Sequence, residues 1–303
     1  MPTRDDRLAI DYAALRTGVA AVRVPRDAVS VSGSDARAFL QGQLSQDVEA
    51  LEVGGSAWSL LLQPQGKVVA WLRVTCLSGD WFVLDVDGGY GEPVIERLGR
   101  FKLRVECEIR SLGWQCVAVR GPKSYEVKTG DAPVVAPVDW GGVTGVDLLG
   151  PEVAIPMGVP EAGREALEIV RIEGGIPAMG SELTEKTIPA EAGIVAPSVS
   201  FTKGCYVGQE LVARIDSRAA TTPRVLQGVA MAAGEIPPVG AVLHVAPRDV
   251  GALTSVAESP ATGTPVALAY VRREIAPPAD AEVVWNGHRL PARIRHLPLT
   301  QPR

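Results

Sequence analysis

The chain has 303 residues, 46% hydrophobic and 21% charged, a globular balance with enough length to bury a core without disulfide or metal staples. Its formal net charge of −5 argues against a dedicated nucleic-acid binder, because affinity for phosphate comes mainly from clustered Lys and Arg. The apolar run at 68–72 is cut by Lys67 and Arg73 far below bilayer length, and Asp5, Asp6 and Asp11 stand where a signal peptide is basic or apolar. A cytoplasmic protein with no membrane partner is the expectation.

After a polar lead, residues 29–33 read as a short strand and turn, with Ser34 as N-cap of a helix through Ala36, Phe39 and Leu40. Residues 57–62 form a buried apolar run, and 67–77 with 80–86 a hairpin around Ser78-Gly79. A helix at 93–101 carries Val94, Leu98 and Phe101 on one face, between which and the next helix strands are expected at 103–109, 115–119 and 143–155. Residues 129–137 are the loosest stretch. Helix 161–173 places Ala162, Ala166, Leu167 and Val170 together and ends at Gly174-Gly175 before Pro177. Residues 181–200 show no period. Beyond Thr222-Pro223 the texture becomes short strands, with Asn286-Gly287 a type I′ hairpin turn, so the tail reads as a small all-β barrel or sandwich. Strands interleaved with a few helices, without a βαβ beat, give the class α+β.

Cysteines at 76, 107, 116 and 205 include no CxxC, which argues against a zinc ribbon or a locally ligated iron–sulfur cluster. The histidines (His244, His288, His296) lie in the last fifth of the chain, and no HExxH, GxSxG, P-loop or GxGxxG occurs. No metal site is expected. Cys76, Cys107 and Cys116 fall among apolar residues and read as core; His244 reads as a satisfied core residue and His288 as exposed. The six Trp (58, 71, 81, 114, 140, 285) read as packing residues, one of which could stack on a planar ligand.

One stretch differs: Lys203-Gly204-Cys205-Tyr206-Val207-Gly208-Gln209-Glu210, with Arg214 beyond it. Glycines on both sides of Cys205-Tyr206 permit a tight backbone, and 209–215 has helix-forming composition, so Cys205 sits just before a helix start with Lys203 and Arg214 as nearby cations. The alternative is a packing cysteine; no His lies close in sequence to make a Cys–His pair.

This run resembles the KGCYxGQE signature of the YgfZ family of folate-binding proteins, relatives of the glycine-cleavage T-protein (aminomethyltransferase) implicated in iron–sulfur protein maturation. Four further segments agree with that resemblance: 33–48 with Phe39-Leu40 and Gln43-Leu-Ser-Gln-Asp47; Leu61-Leu-Gln-Pro-Gln-Gly66-Lys-Val; Arg171-Ile-Glu-Gly-Gly-Ile-Pro177; and Gly251-Ala-Leu-Thr-Ser255 with Ser259-Pro260. The resemblance implies two α+β subdomains (20–220) and a C-terminal β-barrel (222–298) around a central opening that takes tetrahydrofolate or a derivative. Aminomethyltransferases carry an Asp pair after the second hairpin and a Glu in a GYTGED turn; the matching positions here are Ala70 and Trp71, and Val146 beside Asp147. Without those carboxylates the transfer lacks its polar contacts.

The expected function is therefore a folate-binding accessory protein serving iron–sulfur client or assembly proteins, with Cys205 as working thiol. Arg171, Lys203, Gly204, Tyr206, Gly208, Gln209, Glu210 and Arg214 are the expected cofactor-binding residues; Arg171, Lys203 and Arg214 would hold the anionic folate tail. The alternatives are a tetrahydrofolate-dependent one-carbon transferase and a scaffold with a vestigial folate site. Any influence on tRNA modification would be indirect.

Overall fold

The structure is a computed structural model that describes residues 3–217 and 222–300. The expected domain boundary at 220 lies outside the described residues. Two antiparallel sheets and a closed barrel make up the architecture, the α+β body followed by a barrel that the sequence predicts.

Helix α1 (Arg4–Thr17) leads into β1 (Ala20–Val24), and Pro25 carries the chain straight into β2 (Arg26–Ser32) of a different sheet. The larger sheet has the order β3 (Ser56–Leu62), β4 (Val68–Ser78), β5 (Trp81–Asp87), β2, β6 (Glu108–Leu112). The smaller runs β1, β7 (Gln115–Arg120), β9 (Val143–Gly150), β8 (Val134–Trp140). The chain thus passes between sheets twice within a few residues, at Pro25 and at Gly113-Trp114, which ties the sheets together at those corners.

Alternation along β2 sets which face meets what. Val29 and Val31 pack with Phe39 and Leu40 of α2 (Ala36–Gln43) and Val94 and Leu98 of α3 (Gly91–Gly99), while Ala28 faces Cys116, Val134 and Leu149 of the smaller sheet. Covered on both faces, β4 is buried along nearly its whole length. At its other end the smaller sheet's inner face turns Ala20, Val22 and Val143 toward α1 and α4 (Arg164–Gly174), whose Ala166, Ile169 and Val170 fill that side.

The barrel closes in the order β10 (Arg224–Met231), β13 (Thr264–Arg272), β12 (Arg248–Ser259), β11 (Val242–Val245), β14 (Ala279–Trp285), β15 (His288–Arg295). Asn286 (φ 45°) and Gly287 (φ 83°) make the expected turn. Among the described residues no helix is long and apolar enough to cross a membrane.

Several expectations need correction. The polar lead folds as α1, whose start is a capping box: Thr3 accepts from the Asp6 amide and Asp6 accepts from the Thr3 amide. Ser34 is not a cap; it and Asp35 both bond Glu106 instead. The strand expected at 103–109 starts only at Glu108, because Arg104 takes φ 56° and Leu103 turns outward. The loose stretch 129–137 holds the start of β8, and the strand expected at 143–155 ends at Gly150. Cys76, Cys107 and Cys116 are buried, but Cys107 precedes its strand; His244 is half-buried, with Nδ1 2.9 Å from Asp249.

Candidate functional site: a tryptophan-walled cavity lined by paired charges

Where the inner faces of the two sheets diverge, α4 wedges in and leaves a cavity of about 420 Å3, a size within the usual range for small-molecule sites, roughly 300–1,000 Å3. Its floor is buried (Trp71, Arg120, Asp147, Val138, Val143, Met179), and its exposed rim holds Pro25, Arg164 and Glu168. One face of α4 supplies Arg164, Leu167, Glu168 and Arg171, at the i, i+3, i+4, i+7 spacing of a helical stripe.

Register explains the polar wall. Trp58, Arg73, Asp85 and Ala28 stand in one row across β3, β4, β5 and β2. Arg73, 1% exposed, grips Asp85 with two nitrogens (3.0 and 2.9 Å) and reaches Asp147 of the other sheet at 3.0 Å. Arg26 meets Asp85 at 2.6 Å and Asp87 at 2.9 Å; Arg120 meets Asp147 at 2.6 Å. Three arginines thus face three aspartates, and the chain of pairs stitches one sheet to the other. Burial alone would push the Asp147 carboxyl up, but Arg120, Arg73 and Arg26 together overrule it and hold it well below the usual carboxylate range. Asp87 spends its second oxygen on the Met179 amide at 3.0 Å.

The aromatic wall begins on the same row, with Trp58, and continues to Trp71 two residues before Arg73 on β4 and to Trp140 of β8. Trp58 stacks on Trp71 with centroids 4.3 Å apart, Trp140 meets Trp71 edge-on, and the guanidiniums of Arg73 and Arg26 lie 5.3 and 5.8 Å from the Trp58 ring. Trp71 Nε1 donates to Ser198 Oγ at 2.9 Å, and the Ser198 carbonyl accepts from Ser45 Oγ at 2.6 Å.

Of the expected site residues, Arg171 alone lines this cavity, and its nitrogens are engaged. They reach Glu168 (2.8 and 2.5 Å), Glu182 (3.1 Å), the Ile176 carbonyl (2.6 Å) and Ser255 of the barrel (2.7 Å). Fully buried Glu182 also accepts from Thr254 and Ser255, and Glu173 from Tyr12 and Ser259. The segments 171–177 and 251–260 are therefore the two sides of a polar clamp between body and barrel.

Lys203, Gly204, Tyr206, Gly208, Gln209, Glu210 and Arg214 lie outside the cavity lining, on a loop and on α6 (Gln209–Ser217). Lys203 Nζ donates to the carbonyls of Gln41 (2.6 Å), Leu44 (2.7 Å) and Gln46 (3.0 Å) at the C-terminal end of α2. Burial pushes its ammonium down to about 8, against Asp47 and Glu49, so it is charged at neutral pH. Tyr206 is buried, which pushes its hydroxyl up to about 12, and Gln209 caps the turn by accepting from the Tyr206 amide. Glu210 and Arg214 are exposed on α6. Gly208 (φ 86°) presses against the 61–68 turn: a Cβ there would sit 2.5 Å from the Gln63 carbonyl oxygen. Three recognised segments, 33–48, 61–68 and 203–210, meet at this junction. Cys205 stands on it as the exposed thiol; the other three cysteines are buried.

The Arg–Asp chain has no counterpart in the sequence reading. A signal exists: Arg73 and Asp85 interrupt two apolar strands at nearly equal distance from the expected turn at 78–79, which pairs them across the hairpin.

Comparison with known proteins bears on this geometry. The GCVT N-terminal domain family matches residues 4–130, and the glycine cleavage T-protein C-terminal barrel domain family matches 224–300. An aminomethyltransferase of Burkholderia multivorans is 28% identical over 90% of this chain and 83% of its own length. An aminomethyltransferase of Streptomyces avermitilis is 26% identical over 84% and 78%, and an uncharacterized protein of Haemophilus influenzae 27% over 63% and 66%. The crystal structure of glycine cleavage system aminomethyltransferase T from Bartonella henselae superposes with a TM-score of 0.83 over 98% of this chain and 90% of that one, at 20% identity, a likeness of fold.

Proposed function

The chain is T-protein-like, built from a GCVT N-terminal domain and a T-protein C-terminal barrel, and on that premise we propose that it is a folate-binding accessory protein that supports assembly or repair of iron–sulfur proteins. One observation carries the reading: the cavity offers a flat aromatic wall, while its carboxylates, Asp87, Asp147 and Glu168, are each already paired with an arginine. Trp58 and Trp71 take the face of a pterin. By the resemblance, Ala70 and Trp71 match the aminomethyltransferase Asp pair and Val146 its Glu, and among the described residues the cavity lining holds no unpaired carboxylate to serve as general base. A bound tetrahydrofolate supplies a carrier for one-carbon units.

Cys205 is the working thiol in this reading, supported by the eight-residue run it sits in and by its exposure. A single thiol does not hold a cluster, so the iron–sulfur partner brings the remaining ligands. The test is deletion of the gene and complementation with wild type or Cys205→Ser, reading a [4Fe–4S] enzyme's activity under oxidative stress. Restoration by wild type alone is expected; equal restoration would demote Cys205 to packing, and no phenotype would overturn the accessory role.

The two aminomethyltransferase relatives favour a second reading, a tetrahydrofolate-dependent one-carbon transferase. An aminomethyl-transfer assay separates the two: no turnover is expected, and clear turnover selects the transferase.

A further inference from the structure

The cations around the cavity are not equivalent. Arg26 is paired with Asp85 and Asp87, Arg120 with Asp147, and Arg171 with Glu168 and Glu182. Acidic residues at the near end of α4 are claimed as well: Glu161 by Arg23, Glu165 by Arg4 and Asp11 by Arg7. Arg164 differs. It lines the cavity from the first turn of α4, it is exposed, and among the described residues its hydrogen bond runs from Nε to the Arg23 carbonyl at 2.8 Å. Among the described residues no carboxylate pairs with it, and both terminal nitrogens are free to donate. Glu168, one turn along the same face, does not neutralise it, because both Glu168 oxygens are taken by the Arg171 fork.

Resting on the folate reading, we propose that Arg164 is the specificity-determining residue for the anionic tail of the ligand. The pterin end lies against Trp58 and Trp71 toward the floor, and the carboxylate end leaves through the rim, where Arg164 offers two parallel N–H donors, the geometry that best matches a carboxylate. The residue distinguishes a pterin carrying a carboxylated tail from one without it.

Calorimetric titration of wild type, Arg164→Glu and Arg164→Lys with tetrahydrofolate, and with a tetrahydropterin lacking the p-aminobenzoylglutamate tail, tests this at two salt concentrations. Arg164→Glu is expected to weaken tetrahydrofolate binding about tenfold or more, to leave the tail-less ligand unchanged and to flatten the salt dependence, while Arg164→Lys, which keeps the charge without the paired donors, shows an intermediate loss and keeps the salt dependence. Far-UV circular dichroism checks the fold of each variant, which exposure of Arg164 leaves intact. An equal loss for both ligands, or no loss for either, would overturn the role of Arg164. Wild-type protein that binds neither ligand would overturn the folate reading and this inference with it.

Discussion

The cavity and the loop at 203–210 are built on opposite plans. Charges in the cavity lining come from β2, β5, β7, β9 and α4, and nearly all are cancelled in pairs, so what remains for a ligand is the tryptophan wall and one open cation at the rim. In the loop, one contiguous run supplies the parts: a lysine spends its protons on backbone carbonyls, a buried tyrosine and a tightly packed glycine fix the chain, and the thiol is left outside. A buried network of charges costs much to assemble and contributes order; an anchored surface loop costs little and presents one exposed thiol. In the proposed function, binding and reactivity thus fall to different parts of the molecule.

The largest predicted effect tests the cavity side. Arg73→Leu leaves Asp85 and Asp147 buried with too little positive charge and is expected to cost about 3–5 kcal/mol in denaturant unfolding. The same network predicts the acid limb. Asp147 is held below its ordinary value in the folded chain, so its contribution is complete above roughly pH 4 and drains away as pH falls through the folded value. Asp147→Asn should lower stability at pH 7 and shrink the part lost on acidification; an unchanged acid limb would show the pairs to be dispensable.

On the loop side, Gly208→Ala places a methyl group against the Gln63 carbonyl at a positive φ, and a loss of about 2 kcal/mol is expected by thermal unfolding. A neutral result would mean the junction of the three segments gives way easily. Ligand affinity comes next. Trp58→Leu removes the half-buried face of the wall and should weaken tetrahydrofolate binding roughly tenfold with little change in stability.

The smallest effect belongs to the thiol. Cys205→Ser should change stability by less than about 0.5 kcal/mol, and an aromatic disulfide reagent should label one cysteine in the folded protein and four after denaturation. Fast labelling of Cys76, Cys107 or Cys116 would contradict the contrast between an outer thiol and three inner ones.

The two plans also explain what could be read from the chain. Local signals survive translation into structure: the turn at Asn286-Gly287, the helix ending at Gly174-Gly175 and the hairpin at 78–79 each rest on residues adjacent in sequence. The loop was legible for the same reason. At 103–109 the apolar composition hides a single positive φ at Arg104, which delays the strand to Glu108. The cavity was not legible, since Arg26, Arg73, Arg120, Asp85, Asp87 and Asp147 converge only after both sheets have formed and crossed at Pro25 and Gly113-Trp114. Lys203 and Arg171 were expected to hold a ligand's anionic tail; the structure places one on backbone carbonyls and the other in the clamp between body and barrel.

The most direct test of the account is a titration of the protein with tetrahydrofolate followed by tryptophan emission, run in parallel on Cys205→Ser. Saturable quenching with one ligand per chain, identical in both proteins, is the predicted result, because Cys205 lies outside the lining of the cavity proposed to bind. Absence of saturable quenching, or its loss in Cys205→Ser, would contradict it.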